Sequence, residues 1–302
     1  MTESTTVVGG FTTVLKDRHF LEGPRWRDGR IWVSDFHAHE VLSANADGTD
    51  VRVEAELNDL PSGLGWLPDG RLLVVSMADR AVLRREHSGE LVVHADLSSF
   101  SDADFNDMLV DADGRAYVGS TGFDSNIPEP VRTAPVVLIQ PDGSASIAAD
   151  DLYMPNGMTM VTDGVLVVAE TLGNRLSAFD VAADGTLGPR RDWARFGSPP
   201  VSDDLMEVMP GVVVGSDGIV SDSEGAIWVA DALKPRVIRV AEGGEILQEI
   251  STEALGMGAY SCTLGGPDGR TLFICAAPDF YYAARAAAAE AVLLSVTVDV
   301  PA

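Results

Sequence analysis

The sequence predicts an all-β chain folded as a six-bladed β-propeller of four-stranded antiparallel blades, and three observations carry that expectation. A turn phrase recurs six times along the 302 residues, each copy reads as a hairpin, and most copies are followed by a further strand-like segment. The copies are RDGRIWVSD (27–35), PDGRLLVVS (68–76), ADGRAYVGS (112–120), TDGVLVVAE (162–170), SEGAIWVAD (223–231) and PDGRTLFIC (267–275). Their turn glycines stand at positions 29, 70, 114, 164, 225 and 269, so successive copies lie 41, 44, 50, 61 and 44 residues apart. Propeller repeats run at about 40 to 50 residues.

Within each copy, Asp-Gly or Glu-Gly supplies the positive φ of a tight turn, and the flanking Val, Ile, Leu and aromatic residues suit a pleated surface. The third strands are EVLSAN (40–45), AVLRRE (81–86), RLSAFD (175–180), RVIRVA (236–241) and AVLLSV (291–296). Further turns follow, as in ADGT (46–49) and at 183–186. The leading segment FTTVL (11–15) is expected to pair with the last blade and close the ring, which removes an exposed edge. One domain over 1–302 follows. A β-sandwich, the main rival, is not expected to keep one phrase in one register throughout. The Ala-rich stretch 283–291 favours helix by propensity, but the repeat makes it a loop into the final strand. Trp26, Trp32, Trp66 and Trp228 recur inside strand phrases and read as blade packing.

Forty-six acidic against 21 basic residues give a net charge of −25 and a pI near 4.3. That excludes nucleic acid as an expected partner, because phosphate binding needs a basic face. Scattered as they are, the acids read as a solvated surface. The N-terminus lacks a basic segment followed by an apolar one, and no apolar run approaches the roughly 18 residues of a membrane span. A soluble, cytoplasmic protein with no membrane partner is the expectation. Cys262 and Cys275 flank the sixth hairpin; reduced packing residues are expected there, with a cross-strand disulfide as the alternative.

The repeat also locates the chemistry. The first strand of each blade lines the channel, and the turn phrase marks its far end. The residue six or seven positions before each turn acid should therefore ring the opposite mouth: Glu22, Ser62, Asn106, Asn156, Asp217 and Ser261. Four of the six bring carboxylate or carboxamide oxygen, which suits a hard cation such as Ca²⁺ better than zinc. No His-x-x-x-His or Cys-x-x-Cys spacing is present. Loops after each hairpin return to the mouth, so substrate contacts should come from them. That nominates His37, Met77, Phe123 and Tyr281, with Phe36, Asp124, Thr171 and Asp279 from the same loops.

The motifs LEGPRW (21–26), NDMLVDADGRAYVG (106–119), MPNGM (154–158) and SDGIVSDSEGAIWVAD (216–231) resemble the regucalcin/gluconolactonase family, also called the senescence marker protein family, with its diisopropylfluorophosphatase-like relatives. The likeness runs from about residue 18 to the C-terminus. It implies one divalent cation, Ca²⁺ first, with Mg²⁺, Mn²⁺ or Zn²⁺ as alternatives, held by Glu22, Asn156 and Asp217. Asn106 would reach it directly, through water or through substrate, and Asp107 would be the second acid. The implied activity is hydrolysis of a small lactone. A cation would polarise the carbonyl while Asp107 or Asp217 acts as general base, and a covalent route through Asp217 is the variant seen in phosphofluoridate-hydrolysing relatives. Two departures point away from gluconolactone: Asp104 stands where sugar-lactone hydrolases tend to carry Arg, and STGFDSNIPEPVRTAP (120–135) replaces an acidic loop. The alternatives are a promiscuous phosphotriesterase, and a non-catalytic propeller with a structural ion and a binding surface at SDDLME (202–207).

Overall fold

Each turn phrase folds as the hairpin its residues dictate. In the computed structural model, which describes residues 5–7, 10–161 and 164–302, the six turn glycines have φ between 72° and 88°. Thr162 and Asp163 of the fourth phrase lie outside the described residues. In the second phrase the Asp69 carboxylate accepts the Arg71 N–H at 3.1 Å, tying the turn to itself.

Six sheets result, each built on four antiparallel strands that follow chain order in blades 1 to 5. Their innermost strands, blades 1 to 6, are Leu21–Arg27, Pro61–Trp66, Phe105–Val110, Pro155–Val161, Ser216–Ser221 and Gly258–Gly265. Blade 6 takes its fourth strand from the N-terminus. Thr12–Arg18 pairs antiparallel with Ala291–Thr297 and closes the ring as the FTTVL segment predicts. A second N-terminal strand, Thr5–Val7, runs parallel to Ile246–Ser251 and widens blade 5 to five strands, a pairing the repeat gives no hint of.

The core lies between blades. One buried apolar cluster fills each of the six blade-to-blade contacts, including the one joining blade 6 to blade 1 through Val14, Leu21, Val33, Phe273 and Leu293. The tryptophans serve this packing. Trp26 stacks on Phe273 at 5.6 Å across the closure, and Trp32 meets Trp66 edge-on at 5.3 Å between blades 1 and 2. Each such pair contributes about 0.5–1.5 kcal/mol beyond its burial.

One expectation needs correction, and one alternative, the cross-strand disulfide, falls away while the expected reduced packing cysteines stand. The Ala-rich stretch is not a loop: Tyr282–Ala287 is an α-helix. Alanine's propensity prevails because Arg285, 4% exposed, anchors the turn through Asp279 (3.1 Å) and Glu290 (2.9 Å), while His19 Nδ1 donates to its carbonyl at 2.9 Å. Cys262 and Cys275 do not face one another. Cys262 pairs with Ile274 and Cys275 with Ser261, an offset of one residue that puts the thiols on opposite faces of the blade, both free and buried.

Candidate active site

Five of the six expected ring residues are the second residue of their innermost strand, and Ser261 is the fourth of its own. In every blade the strand register shifts at or beside this residue, as between Glu22 and Arg25 or between Ser216 and Ile219. Such a bulge turns side chains out of the ordinary pleat. Here it lies at the channel mouth of all six blades.

In four blades the residue after the ring position is glycine, which lets neighbouring strands close in; blade 6 has Cys262 there. A Cβ on Gly63 would stand 2.3 Å from the Met108 nitrogen, and one on Gly157 would stand 2.5 Å from the Asp217 carbonyl oxygen. The third blade breaks the pattern with Asp107. That carboxylate is 4% exposed, and its Oδ1 accepts from Arg25 Nη2 at 2.9 Å and from the Met108 N–H at 2.7 Å. Arg25 Nη2 also donates to the Met108 carbonyl at 2.5 Å.

Glu22 and Asp217 are 6% and 7% exposed, and neither forms an ion pair among the described residues. Burial pushes Glu22 up to about 8, and the nearby Asp107 charge adds to the rise. Burial likewise holds Asp217 well above the usual carboxylate range, with Glu22 and then Asp107 adding to it and the Asn156 amide opposing. The three acids are therefore buried within electrostatic reach of one another, with the Arg25 guanidinium on Asp107.

Carboxamides complete the set. Asn156 donates through Nδ2 to Thr171 Oγ1 at 3.3 Å, and Thr171 donates to the Ser216 carbonyl at 2.9 Å. No hydrogen bond among the described residues occupies Asn156 Oδ1. Asn106 accepts from Ser62 Oγ at 2.7 Å. Among the described residues Ser216 Oγ and Ser261 Oγ are buried without a hydrogen-bond partner, and Ser261 stands beside Glu22. Among the described residues no group of three or more His, Cys, Asp or Glu side chains is gathered to hold a metal. A four-donor set would combine Glu22 and Asp217 with the carboxamides of Asn156 and Asn106. Buried oxygens short of positive charge fit a hard divalent cation.

A device that sequence reasoning passed over positions three of these residues. The second strand of blades 1, 4 and 5 ends in an acid with a fully buried side chain: Asp35, Glu170 and Asp231. Each grips the segment entering the innermost strand. Asp35 accepts from the His19 and Phe20 N–H groups (3.2 Å each), Glu170 from Tyr153 N–H (2.8 Å), and Asp231 from Gly215 N–H (3.0 Å). These are the blades that carry Glu22, Asn156 and Asp217. The signal was visible as the final letter of WVSD, VVAE and WVAD, against Ser or Cys in the other phrases. Arg25 was also missed, because its partner lies 82 residues away.

The nominated loop residues lie at the strand ends on the mouth side but differ in exposure. Met77 is buried between blades 2 and 3. Phe123 is 1% exposed and packs with Val131, Leu172 and Val208, joining the loop of blade 3 to the connection between blades 4 and 5. His37 meets the Tyr282 ring edge-on at 4.7 Å, and Tyr281 is 66% exposed. The SDDLME segment forms a short helix, Leu205–Val208, capped by Asp204.

Fold and site together define a six-bladed propeller with a cluster of buried carboxylates and carboxamides at one mouth. The chain belongs to the SMP-30/Gluconolactonase/LRE-like family, whose profile matches residues 20–278. It is 31% identical to regucalcin of Danio rerio over 57% of this chain and 54% of that protein. Identity to the 6-deoxy-6-sulfogluconolactonase of Pseudomonas putida is 28%, over 56% of this chain and 53% of the relative. The chain thus spans about half the length of the curated relatives it matches. Among solved structures, the calcium-binding protein regucalcin from Agrobacterium tumefaciens superposes with a TM-score of 0.77 at 20% identity, covering 100% of this chain and 97% of that one. No helix among the described residues is long and apolar enough to cross a membrane.

Proposed function

We propose that the protein is a divalent-metal-dependent lactonase that opens a small cyclic ester other than gluconolactone. The observation that carries this reading is the pairing of two buried carboxylates without a cationic partner, Glu22 and Asp217, with a third, Asp107, beside them. Family membership and the likeness to a sulfogluconolactonase support it.

Glu22, Asn156 and Asp217 would hold the cation, calcium in the first instance, with Asn106 completing the set. When bound, the cation supplies Lewis-acid polarisation of the lactone carbonyl and a counter-charge for the developing oxyanion. Asp107 is the general base. Its Oδ1 is occupied by Arg25 and the Met108 N–H, which fixes the carboxylate and leaves Oδ2 to take a proton from the attacking water. The new bond joins the water oxygen to the carbonyl carbon. As the ring C–O bond breaks, the leaving alkoxide takes that proton back from Asp107. His37 and Tyr281 border the substrate, while Met77 acts by packing blades 2 and 3 together and Phe123 by holding two mouth loops together.

A panel of lactones assayed with and without chelator tests this, alongside Asp107→Asn. Chelation should abolish turnover, and Asp107→Asn should lower kcat by about 10²- to 10⁴-fold. Full activity in Asp107→Asn would remove Asp107 as the base. Turnover of phosphotriesters but of no lactone would favour the phosphotriesterase alternative.

A further inference from the structure

The wall of the mouth between blades 6 and 1 is built from aromatic rings. Tyr260, on the innermost strand of blade 6, is 3% exposed and within electrostatic reach of Asp217 and Glu22. Its ring lies 4.9 Å from Phe20 and 6.2 Å from Phe280, and Phe280 lies 5.2 Å from Tyr281. On the blade 1 side, His37 carries Tyr282 against its edge. The series begins buried beside the acids and ends in solvent, where Phe280, Tyr281 and Tyr282 are 46%, 66% and 49% exposed. They are the aromatic members among the exposed large apolar side chains of the described residues.

Topology puts the whole series on the mouth face. Asp35 pairs with Leu21 and Ala277 with Gly258, so the loops that follow Asp35 and Ala277 leave from the strand ends nearest the ring of oxygens. Three consecutive exposed aromatic residues continuous with a buried polar site mark a binding surface rather than incidental exposure. The wall offers a polyhydroxylated ring little. The adjacent Asp279 carboxylate is taken by Arg285 at 3.1 Å, and Asp104 stands across the mouth in place of a cationic donor.

We infer that this wall is a specificity subsite, and that the substrate is a lactone bearing an aromatic substituent, whose ring stacks on Phe280 and Tyr281 while its ester carbonyl reaches the acids below. The inference rests on the lactonase reading of the site and names the substrate class for it.

The test compares kcat/KM for two γ-butyrolactones that share one ring, the first with a γ-phenyl and the second with a γ-hydroxymethyl substituent. The phenyl lactone should be preferred about tenfold, and Phe280→Leu and Tyr281→Ala should each reduce that ratio by about three- to tenfold, mainly through KM. Tyr281 is mostly solvent-exposed, so its alanine variant should melt within a degree or two of the parent and keep the readout on binding. A ratio near one in the parent, or a ratio unchanged in both variants, overturns the aromatic subsite and leaves the lactonase reading standing. No turnover of either lactone with calcium present overturns both.

Discussion

Glu22 and Asp217 sit where water is scarce and positive charge scarcer, and that sets a pH dependence opposite to the usual one for acids. A glutamate titrates near 4.5 when unperturbed, whereas burial lifts Glu22 to about 8. Between those values the folded chain binds a proton that the unfolded chain has released, so the contribution of Glu22 to stability is full below about pH 4.5 and is lost as pH rises to about 8. Asp217 acts in the same direction. Calorimetry in chelator should give a lower melting temperature at pH 8.5 than at pH 5.5. Glu22→Gln should flatten that decline, and calcium should offset most of it by partnering the ionised pair. A melting temperature in chelator that holds or rises over the interval would contradict this picture of the pocket.

At the scale of single elements, the buried acids at the ends of second strands matter most. Asp231 grips Gly215 N–H and pairs with Arg236 at 3.0 Å, at the end of blade 5 where Asp217 enters the channel. Asp222, at the other end of the same blade, is equally buried and pairs with Arg239 at 2.7 Å. The two aspartates therefore form a matched comparison. Asn at either position weakens a buried ion pair and should lower the melting temperature. Only Asp231→Asn should weaken calcium binding, by about 10- to 100-fold as expected for groups that orient ligands. Equal affinities in the two variants would make Asp231 a stability residue alone. Much of the candidate site was legible because a turn glycine is a fixed marker in each blade, and counting back from it reaches the mouth positions Glu22, Asn106, Asn156 and Asp217 directly. Arg25 and the gripping acids escaped that count because their partners are set by packing between distant segments. The 282–287 helix escaped for a related reason: its anchor is a buried Arg285 whose partners no local pattern reveals.

For the molecule as a whole, closure and asymmetry are the organising facts. Thr12–Arg18 caps the edge of Ala291–Thr297, and without it that strand is an open template for pairing with other chains. Deleting residues 1–18 should give a protein that aggregates on size exclusion, while deleting residues 1–9 should leave a monodisperse one. A monodisperse product from the longer deletion would show that the closing strand is dispensable. The two faces of the ring also differ. One carries tight Gly turns, whereas the other carries the longer segments 121–133, 196–215 and 278–290 that surround the oxygen-lined mouth. Everything proposed for this face depends on a cation binding there. The most direct test is calorimetric titration of calcium into chelator-stripped protein at pH 7.5, for the parent and for Asp217→Ala. One calcium bound per chain in the parent and none in the variant is the predicted result; no binding to the parent, or undiminished binding to Asp217→Ala, would contradict it.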